Sequence, residues 1–264
     1  MNFCSIASGS SGNCIYVGNK DTGILVDAGI SKKRIAEGLS SMDVNPEKLD
    51  AIVVTHEHSD HICGLGVFTR KYKVPIYGTK ETIESIRNIK SMGALDETLF
   101  HEIKADCSFL VNDIVVHPFS IPHDAANPVS YTFSSNGEKI GVATDLGTYN
   151  ASIISNLEEC QILLLEANHD INMLQVGSYP YSLKRRILSD TGHLSNDNSG
   201  KLLSKIFSDR LKYIFLGHLS KENNYPELAY ETVKCELLES GITKNREYTM
   251  QVAKRDTPSE LVTI

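Results

Sequence analysis

The sequence predicts a mixed α/β fold, and three observations carry that prediction. Short, β-branched apolar runs recur along the chain, helical stretches follow many of them, and this strand-then-helix order occurs twice. With 264 residues, 41 % of them hydrophobic, the chain can bury a substantial core. No Pro/Gly/Ser-rich linker or shift in composition divides it, so residues 1–264 read as a single domain.

In chain order, residues 3–6 and 14–17 read as strands around a Gly/Ser turn. Residues 23–27 make a third strand, and 31–39 a helix with Ser31 as its N-cap. Residues 51–54, Ala-Ile-Val-Val, are a short buried strand, and 61–71 read as the helix after it. A strand over 75–77 precedes a helix over 79–89 that has Ile83 and Ile86 on one side. In the second half, 114–119, 129–133, 140–143, 162–165 and 213–216 read as strands and 196–207 as a helix.

The chemistry concentrates after the 51–54 strand, in His56-Glu57-His58-Ser59-Asp60-His61. A shuffled chain of this composition shows H-x-H-x-D-H about once in two thousand. In an extended segment His56 and His58 point the same way, because the side-chain period is two. They can grip one metal together. Asp60 and His61 lie past the bend and suit a second metal beside the first, the kind of centre that cleaves phosphate and acyl bonds.

Composition limits the partners. The first residues lack a basic region and a long apolar run, so no signal peptide is expected, and no run approaches the roughly 20 residues that span a bilayer. Six cysteines, none in C-x-x-C, read as reduced thiols of a cytoplasmic protein. Cys63 reads as a packed thiol. The net charge of −7 argues against broad, non-specific nucleic-acid binding. It permits a local site, since two divalent ions add about +4 at a cleft.

Thr55-His56-Glu57-His58-Ser59-Asp60-His61 after a hydrophobic strand resembles the signature of the metallo-β-lactamase fold superfamily. The N-terminal stretch Ser5-Ile6-Ala7-Ser8-Gly9-Ser10-Ser11-Gly12-Asn13-Cys14, followed by Ile24-Leu25-Val26-Asp27-Ala28-Gly29, resembles the WalJ/YycJ group, bacterial proteins described as 5′-to-3′ DNA exonucleases. The resemblance implies a four-layer αββα sandwich. It also implies the remaining ligands: His123 as the third ligand of the first metal, Asp145 as the carboxylate bridging both, and His218 as the last ligand of the second. The implied centre is His56, His58 and His123 with an open position, and Asp60, His61 and His218, with Asp145 between them. Zinc or manganese suits it, and iron is allowed. Asp27 matches an acidic residue expected to orient a ligand or water. His101, His117 and His169 fit no motif position.

Glu166-Ala167 followed by Gly192-His193-Leu194-Ser195 resembles a loop of RNase Z-type nucleases. The resemblance gives His193 the role of meeting the scissile phosphate and assisting the leaving group, at what reads as a helix N-terminus rich in backbone donors. Between them, Tyr179 and Tyr181 beside Lys184, Arg185 and Arg186 suit single-stranded nucleic acid. Lys32-Lys33-Arg34 reads as a solvated helix face. The chain lacks the long inserted domain of RNase J-like nucleases and the glycine-rich arm of RNase Z, which weakens an RNA-processing reading.

The expected activity is hydrolysis of a nucleic-acid phosphodiester by a two-metal centre in which Asp60 orients and deprotonates the water. Single-stranded or nicked DNA is the expected partner, with RNA as the alternative. The polarity comes only from the resemblance. Two other readings stay open: another hydrolase on the same centre, such as a cyclic-nucleotide phosphodiesterase or thioesterase, and a regulatory module that keeps the fold without turnover.

Overall fold

Strands that are apolar on both faces need cover on both, and that requirement shapes the molecule. The structure, a computed structural model, describes residues 1–242 and 247–264. The first half contains β1 (Asn2–Ala7), β2 (Cys14–Gly18), β3 (Gly23–Val26), β4 (Ala51–Val53), β5 (Ile76–Thr79) and β6 (Phe100–Ile103), with helices α1 (Lys32–Ser40), α2 (Ser59–Ile62), α3 (Leu65–Tyr72) and α4 (Lys80–Asn88). The second contains β7 (Phe109–Val111), β8 (Ile114–Ser120), β9 (Val129–Ser135), β10 (Glu138–Ala143), β11 (Ile162–Glu166), β12 (Tyr213–Gly217), β13 (Thr249–Val252) and β14 (Val262–Thr263). Its helices are α5 (Ala151–Leu157), α6 (Ile171–Val176), α7 (Tyr181–Ile187), α8 (Asn196–Ile206) and α9 (Pro226–Glu239).

The strands form two sheets, ordered β14-β1-β2-β3-β4-β5-β6 and β13-β12-β11-β10-β9-β8-β7. Each begins antiparallel and turns parallel, from β3 to β6 in one and from β10 to β13 in the other. Alternation along each strand then separates the layers. Ile162 and Leu164 of β11 point between the sheets, where Phe3, Val26, Val53, Phe133 and Phe215 pack. Leu163 and Leu165 point the other way, onto Leu202, Val233 and Leu237 of α8 and α9. Ile52 and Val54 likewise face Ile35 and Phe68 of α1 and α3. The result is the expected four-layer αββα sandwich.

Beyond short elements that the sequence reading does not include, such as β6, β7, β13, β14, α5 and α6, two features depart from the sequence expectation. The helix expected over 61–71 is two helices, α2 and α3, broken at Cys63 and Gly64. The break lets the chain after β3 pack against this loop. Gly64 N–H donates to Ala28 O at 2.8 Å, and a Cβ on Gly64 would lie 1.9 Å from Ile30 O. A Cβ on Gly29 would lie 1.7 Å from Asp60 O. The second departure is α9, whose signal is present in the sequence. Pro226 opens it, and Ala229, Val233 and Leu237 recur every fourth residue on its buried side.

Candidate metal centre

The C-terminal ends of β3, β4, β10, β11 and β12, with the loop after β8, carry the expected site residues to one edge of the sandwich. Two donor sets form there. In the first, Nε2 of His56 lies 3.0 Å from Nδ1 of His58, and Nε2 of His123 lies 3.3 Å from that same Nδ1. In the second, Nε2 of His61 lies 3.5 Å from Asp60 Oδ2 and 3.2 Å from Asp145 Oδ2. Nε2 of His218 lies 3.3 Å from Asp60 Oδ2. Tetrahedral zinc with bonds of about 2.1 Å spaces its ligand atoms roughly 3.4 Å apart, so both sets have spacings that fit a cation. Asp145 Oδ2 is buried and, among the described residues, has no hydrogen-bond partner of good geometry. A divalent cation would satisfy it.

Outer partners aim the rings. An ionised carboxylate only accepts hydrogen bonds, so a histidine nitrogen against it carries the proton and the other nitrogen keeps its lone pair for a metal. Asp27 Oδ2 accepts from Nδ1 of His61 at 2.7 Å. Glu166 Oε1 accepts from Nδ1 of His218 at 2.8 Å. Gly192 O accepts from Nδ1 of His123 at 3.1 Å. Thr55 donates its N–H (2.8 Å) and hydroxyl to Asp27, and its Oγ1 lies 3.0 Å from Nδ1 of His56.

The charges are set by the same contacts. Burial disfavours an ionised Asp145, but His218 and His61 outweigh it and hold the carboxyl well below its usual range. Asp60 is lowered against its burial in the same way, by His61 and His218. Burial works against charge on His218 too, yet Asp145, Asp60 and Glu166 raise it to about 10, so without a metal Nε2 holds a proton that a bound cation would displace. Burial and the neighbouring His61 push His56 well below the ordinary histidine value, leaving a neutral ligand.

Glu166 is the residue that sequence reasoning missed as part of the site. It is fully buried. Its Oε1 also accepts from Nδ1 of His193 at 2.9 Å, and its Oε2 accepts from the backbone N–H groups of Leu146 (2.8 Å) and Leu194 (3.1 Å). Burial opposes its charge, but His193 and His218 hold the carboxyl down to about 2. Asp145, Glu166, His193 and His218 come close enough to suggest a third cation site. Both ring N–H groups already point at Glu166, so this is a hydrogen-bond hub. The signal for Glu166 was available: it is a polar residue directly ending the apolar run 162–165, like Asp145 after 140–143.

With this geometry in place, likeness to known proteins is decisive. The sequence profile described as the β-lactamase superfamily domain matches residues 22–214. The chain is 39 % identical over 259 residues, covering 98 % of its own length and 96 % of the relative's, to the exodeoxyribonuclease WalJ of Streptococcus pneumoniae. The chain belongs to the metallo-β-lactamase superfamily. It is also 38 % identical to the exodeoxyribonuclease YycJ of Bacillus anthracis, over 91 % of this chain and 90 % of that one. Among solved structures it is similar to the metallo-β-lactamase fold protein YhfI from Bacillus subtilis, with a TM-score of 0.70, 18 % identity, and coverage of 98 % of this chain and 99 % of that one. It is thus a metal-dependent hydrolase, homologous to exodeoxyribonucleases, with the His/Asp clusters of that fold.

The other expected residues of this metallo-β-lactamase-fold enzyme fall less simply. His193 stands between the rings of His123 and His218, with centroids 5.2 and 5.3 Å away. It does not stand at a helix N-terminus. Helix α8 starts at Asn196 with Ser195 as its cap. The N–H groups of His193 and Leu194 are already donated to Ile187 O and Glu166, so they offer a phosphate nothing. The basic triplet is largely used internally. Lys184 Nζ donates to Gln175 O and Gly177 O at 2.8 and 2.6 Å, closing the end of α6, and Arg186 pairs with Asp124. Arg185 and Tyr181 are exposed, and Tyr179 half-buried. Of the Lys32-Lys33-Arg34 cluster, Lys33 is exposed, whereas Arg34 is partly covered and donates to Arg255 O at 2.8 Å. Cys63 is exposed rather than packed, its thiol donating to Gly29 O, and it stands outside the donor clusters. All six cysteines are free. His101 stacks on Tyr77 and His117 meets Ser108, both away from the centre. Among the described residues no helix is long and apolar enough to cross a membrane.

Proposed function

We propose that this protein is a DNA phosphodiesterase that works with two divalent cations and removes nucleotides in the 5′-to-3′ direction. One observation carries the two-cation reading. Asp145 Oδ2 lies 3.2 Å from Nε2 of His61, and its Oδ1 lies 3.7 Å from Nε2 of His123 and 3.5 Å from Nδ1 of His218. A single carboxylate stands between two donor sets. His56, His58 and His123 would hold one ion, and Asp60, His61 and His218 the other, with Asp145 shared. The mixed nitrogen and oxygen donors suit zinc or manganese, and iron. Bound there, the ions would supply Lewis acidity toward the phosphate and a water of lowered pKa. DNA as substrate rests on the likeness to WalJ and YycJ, both named exodeoxyribonucleases. The polarity rests on the resemblance to their group alone.

The side chains divide the remaining work. The Asp60 side chain is 23 % exposed, against 3 % for Asp145 and none for Glu166. It is the carboxylate that reaches an incoming water, which it orients by accepting a hydrogen bond. Asp27 and Glu166 hold His61 and His218 in register behind it. His193 is 12 % exposed at the mouth. Because Glu166 occupies its Nδ1, a proton delivered to the leaving oxygen comes from Nε2. The interior layer shared by both sheets supports reading residues 1–264 as one domain. The six free thiols support a reducing, cytoplasmic setting.

The test uses single-stranded DNA, nicked duplex and RNA, labelled at either end, with and without a 5′-phosphate, across Mn²⁺, Zn²⁺ and Mg²⁺. A 5′ label should leave as mononucleotide at the earliest times, and only with a divalent ion. Prompt release of a 3′ label would reverse the polarity. Faster cleavage of RNA or of a small ester would replace the substrate class.

A further inference from the structure

A cavity of about 460 Å³ opens beside the metal centre, lined among others by Ser8, Ser220, Lys221, Tyr225, Lys254 and Arg255. Its wall is the chain that carries His218. Ser8 Oγ accepts from His218 N–H at 2.9 Å. The turn after β1 is tied to both the metal centre and the cavity lining. On the metal side, Asn13 Nδ2 lies 3.2 Å from His61 Nε2, and Asn13 Oδ1 accepts from Gly9 N–H at 3.0 Å. On the cavity side, Arg255 donates to Ser11 Oγ at 3.1 Å and to Leu219 O at 2.7 Å.

The chemistry of this cavity differs from that of the basic triplet on α7. Neither Lys221 nor Lys254 spends its ammonium group on a partner among the described residues. With Arg255 they set three cations against one lining carboxylate, Glu227. Tyr225 is 49 % exposed at the rim, yet its base is rigid. The adjacent Asn224 donates to Ala167 O and Asn168 O at 2.9 and 3.1 Å, and Tyr225 N–H is held by Asn224 Oδ1 at 3.0 Å. Ser220 N–H and His218 O are both tied to Asn168, at 2.7 and 2.9 Å. A large aromatic ring left in water on a buried amide network is organised for a flat partner before that partner arrives. The volume lies within the roughly 300–1,000 Å³ of ordinary ligand sites and takes one nucleotide, not a duplex.

We propose that this cavity is the subsite for the DNA nucleotide adjoining the scissile phosphate, its base stacked on Tyr225 and its outer phosphate held by Lys221 and Lys254. The assignment rests on reading the centre as a DNA phosphodiesterase, and it places the backbone cations beside β12 and β13 instead of on α7.

The experiment compares the whole protein with Tyr225→Ala, Tyr225→Phe and Lys221→Ala/Lys254→Ala on single-stranded oligo(dT) and on bis(p-nitrophenyl) phosphate, which has no base. Stacking of one base on an aromatic ring corresponds to about 5- to 150-fold in affinity. Tyr225→Ala should raise KM for oligo(dT) by that factor and lower the ratio of DNA to small-diester cleavage. Tyr225→Phe, which keeps the ring, should restore the ratio. An oligonucleotide abasic at its terminal position should erase the difference between wild type and Tyr225→Ala. The lysine pair should flatten the salt dependence of KM. If wild type degrades DNA and Tyr225→Ala matches it, the subsite is wrong while the DNA reading stands. If wild type cleaves the small diester and leaves DNA intact, the DNA reading fails and the subsite fails with it.

Discussion

Glu166→Gln keeps the shape of a buried side chain and removes one charge. The carboxylate accepts four hydrogen bonds, two on Oε1 from His193 and His218 and two on Oε2 from the backbone of Leu146 and Leu194. A glutamine amide has one acceptor oxygen and one donor nitrogen. Whichever way it turns, its NH₂ faces two N–H donors, either the rings or the backbone. Two hydrogen bonds are lost and a donor–donor contact replaces them. The magnitude follows from the carboxyl itself. Although burial opposes its charge, His193 and His218 hold it at about 2 against an ordinary 4.5, which at 1.36 kcal/mol per unit is roughly 3 kcal/mol. The sign follows from the direction of the shift. A carboxyl lowered by folding contributes its stability above 4.5, the value in the unfolded chain, and loses it as pH falls from there toward about 2.

Urea unfolding of chelator-treated protein checks this. The variant should be less stable by roughly 3 kcal/mol at pH 7, and the gap should narrow once the pH falls below about 4.5. Zinc affinity gives a second readout, because removing the outer partner of a metal-binding histidine weakens binding about 10- to 100-fold. A variant as stable as wild type at pH 7, with unchanged zinc affinity, would mean that the hub carries no charge and does not aim His218.

Four further outcomes are expected. Protein purified without chelator should carry two divalent ions per chain by elemental analysis; a stoichiometry of one that Asp145→Ala leaves unchanged would remove the shared carboxylate. His193→Ala should keep both ions and lose roughly 10²–10⁴ in DNA turnover, with a much smaller loss on a p-nitrophenyl diester that needs no protonation; loss of an ion would make His193 a ligand. Arg185→Ala should change the salt slope of DNA binding by no more than about 0.7, while Lys184→Ala lowers the melting temperature, since Lys184 closes α6; a larger slope change from Lys184→Ala would reverse their roles. Burial pushes His169 down to about 4 from 6.5, so the unfolded chain binds more protons between those values and stability falls as pH drops. His169→Gln should therefore gain roughly 2 kcal/mol relative to wild type between pH 7 and pH 5, and parallel stability curves would refute the shift.

The seven candidate ligands were legible because each follows a short apolar run, and such runs end at one edge of a sandwich. The loop from His56 to His61 announced itself by density alone. His123, Asp145 and His218 needed the resemblance, since one polar residue after a strand is ordinary. Glu166 shows the limit of that rule: it has the same position and a larger role, yet nothing local distinguishes a ligand from the acid behind it. The α7 triplet shows a different limit. Charge pattern cannot show that Lys184 already meets two carbonyls and Arg186 already meets Asp124. Short edge strands left little trace; β14 is two residues long and forms only where β1 offers it a partner.

The aim of the site is set by a feature that residue types alone do not reveal. Asp27, Asp145 and His218 have positive φ angles of 62°, 61° and 55°, and each follows the end of a parallel strand. The left-handed conformation costs a non-glycine residue about 1–2 kcal/mol, and glycine would relieve it at all three positions. A glycine there would also leave His61 without its Nδ1 acceptor and remove the carboxylate and imidazole that face the second donor set. The strain is therefore tied to the side chains. At each of these strand ends the backbone turns out of the ladder by one residue, and packing holds it there: Asp27 N–H still reaches Val53 O at 2.9 Å, and His218 N–H reaches Ser8 Oγ at 2.9 Å. Two sheets with the same parallel ends, closed face to face, make three such turns converge. The apolar runs of the sequence thus fix the fold and, through it, bring the metal-binding atoms to one point.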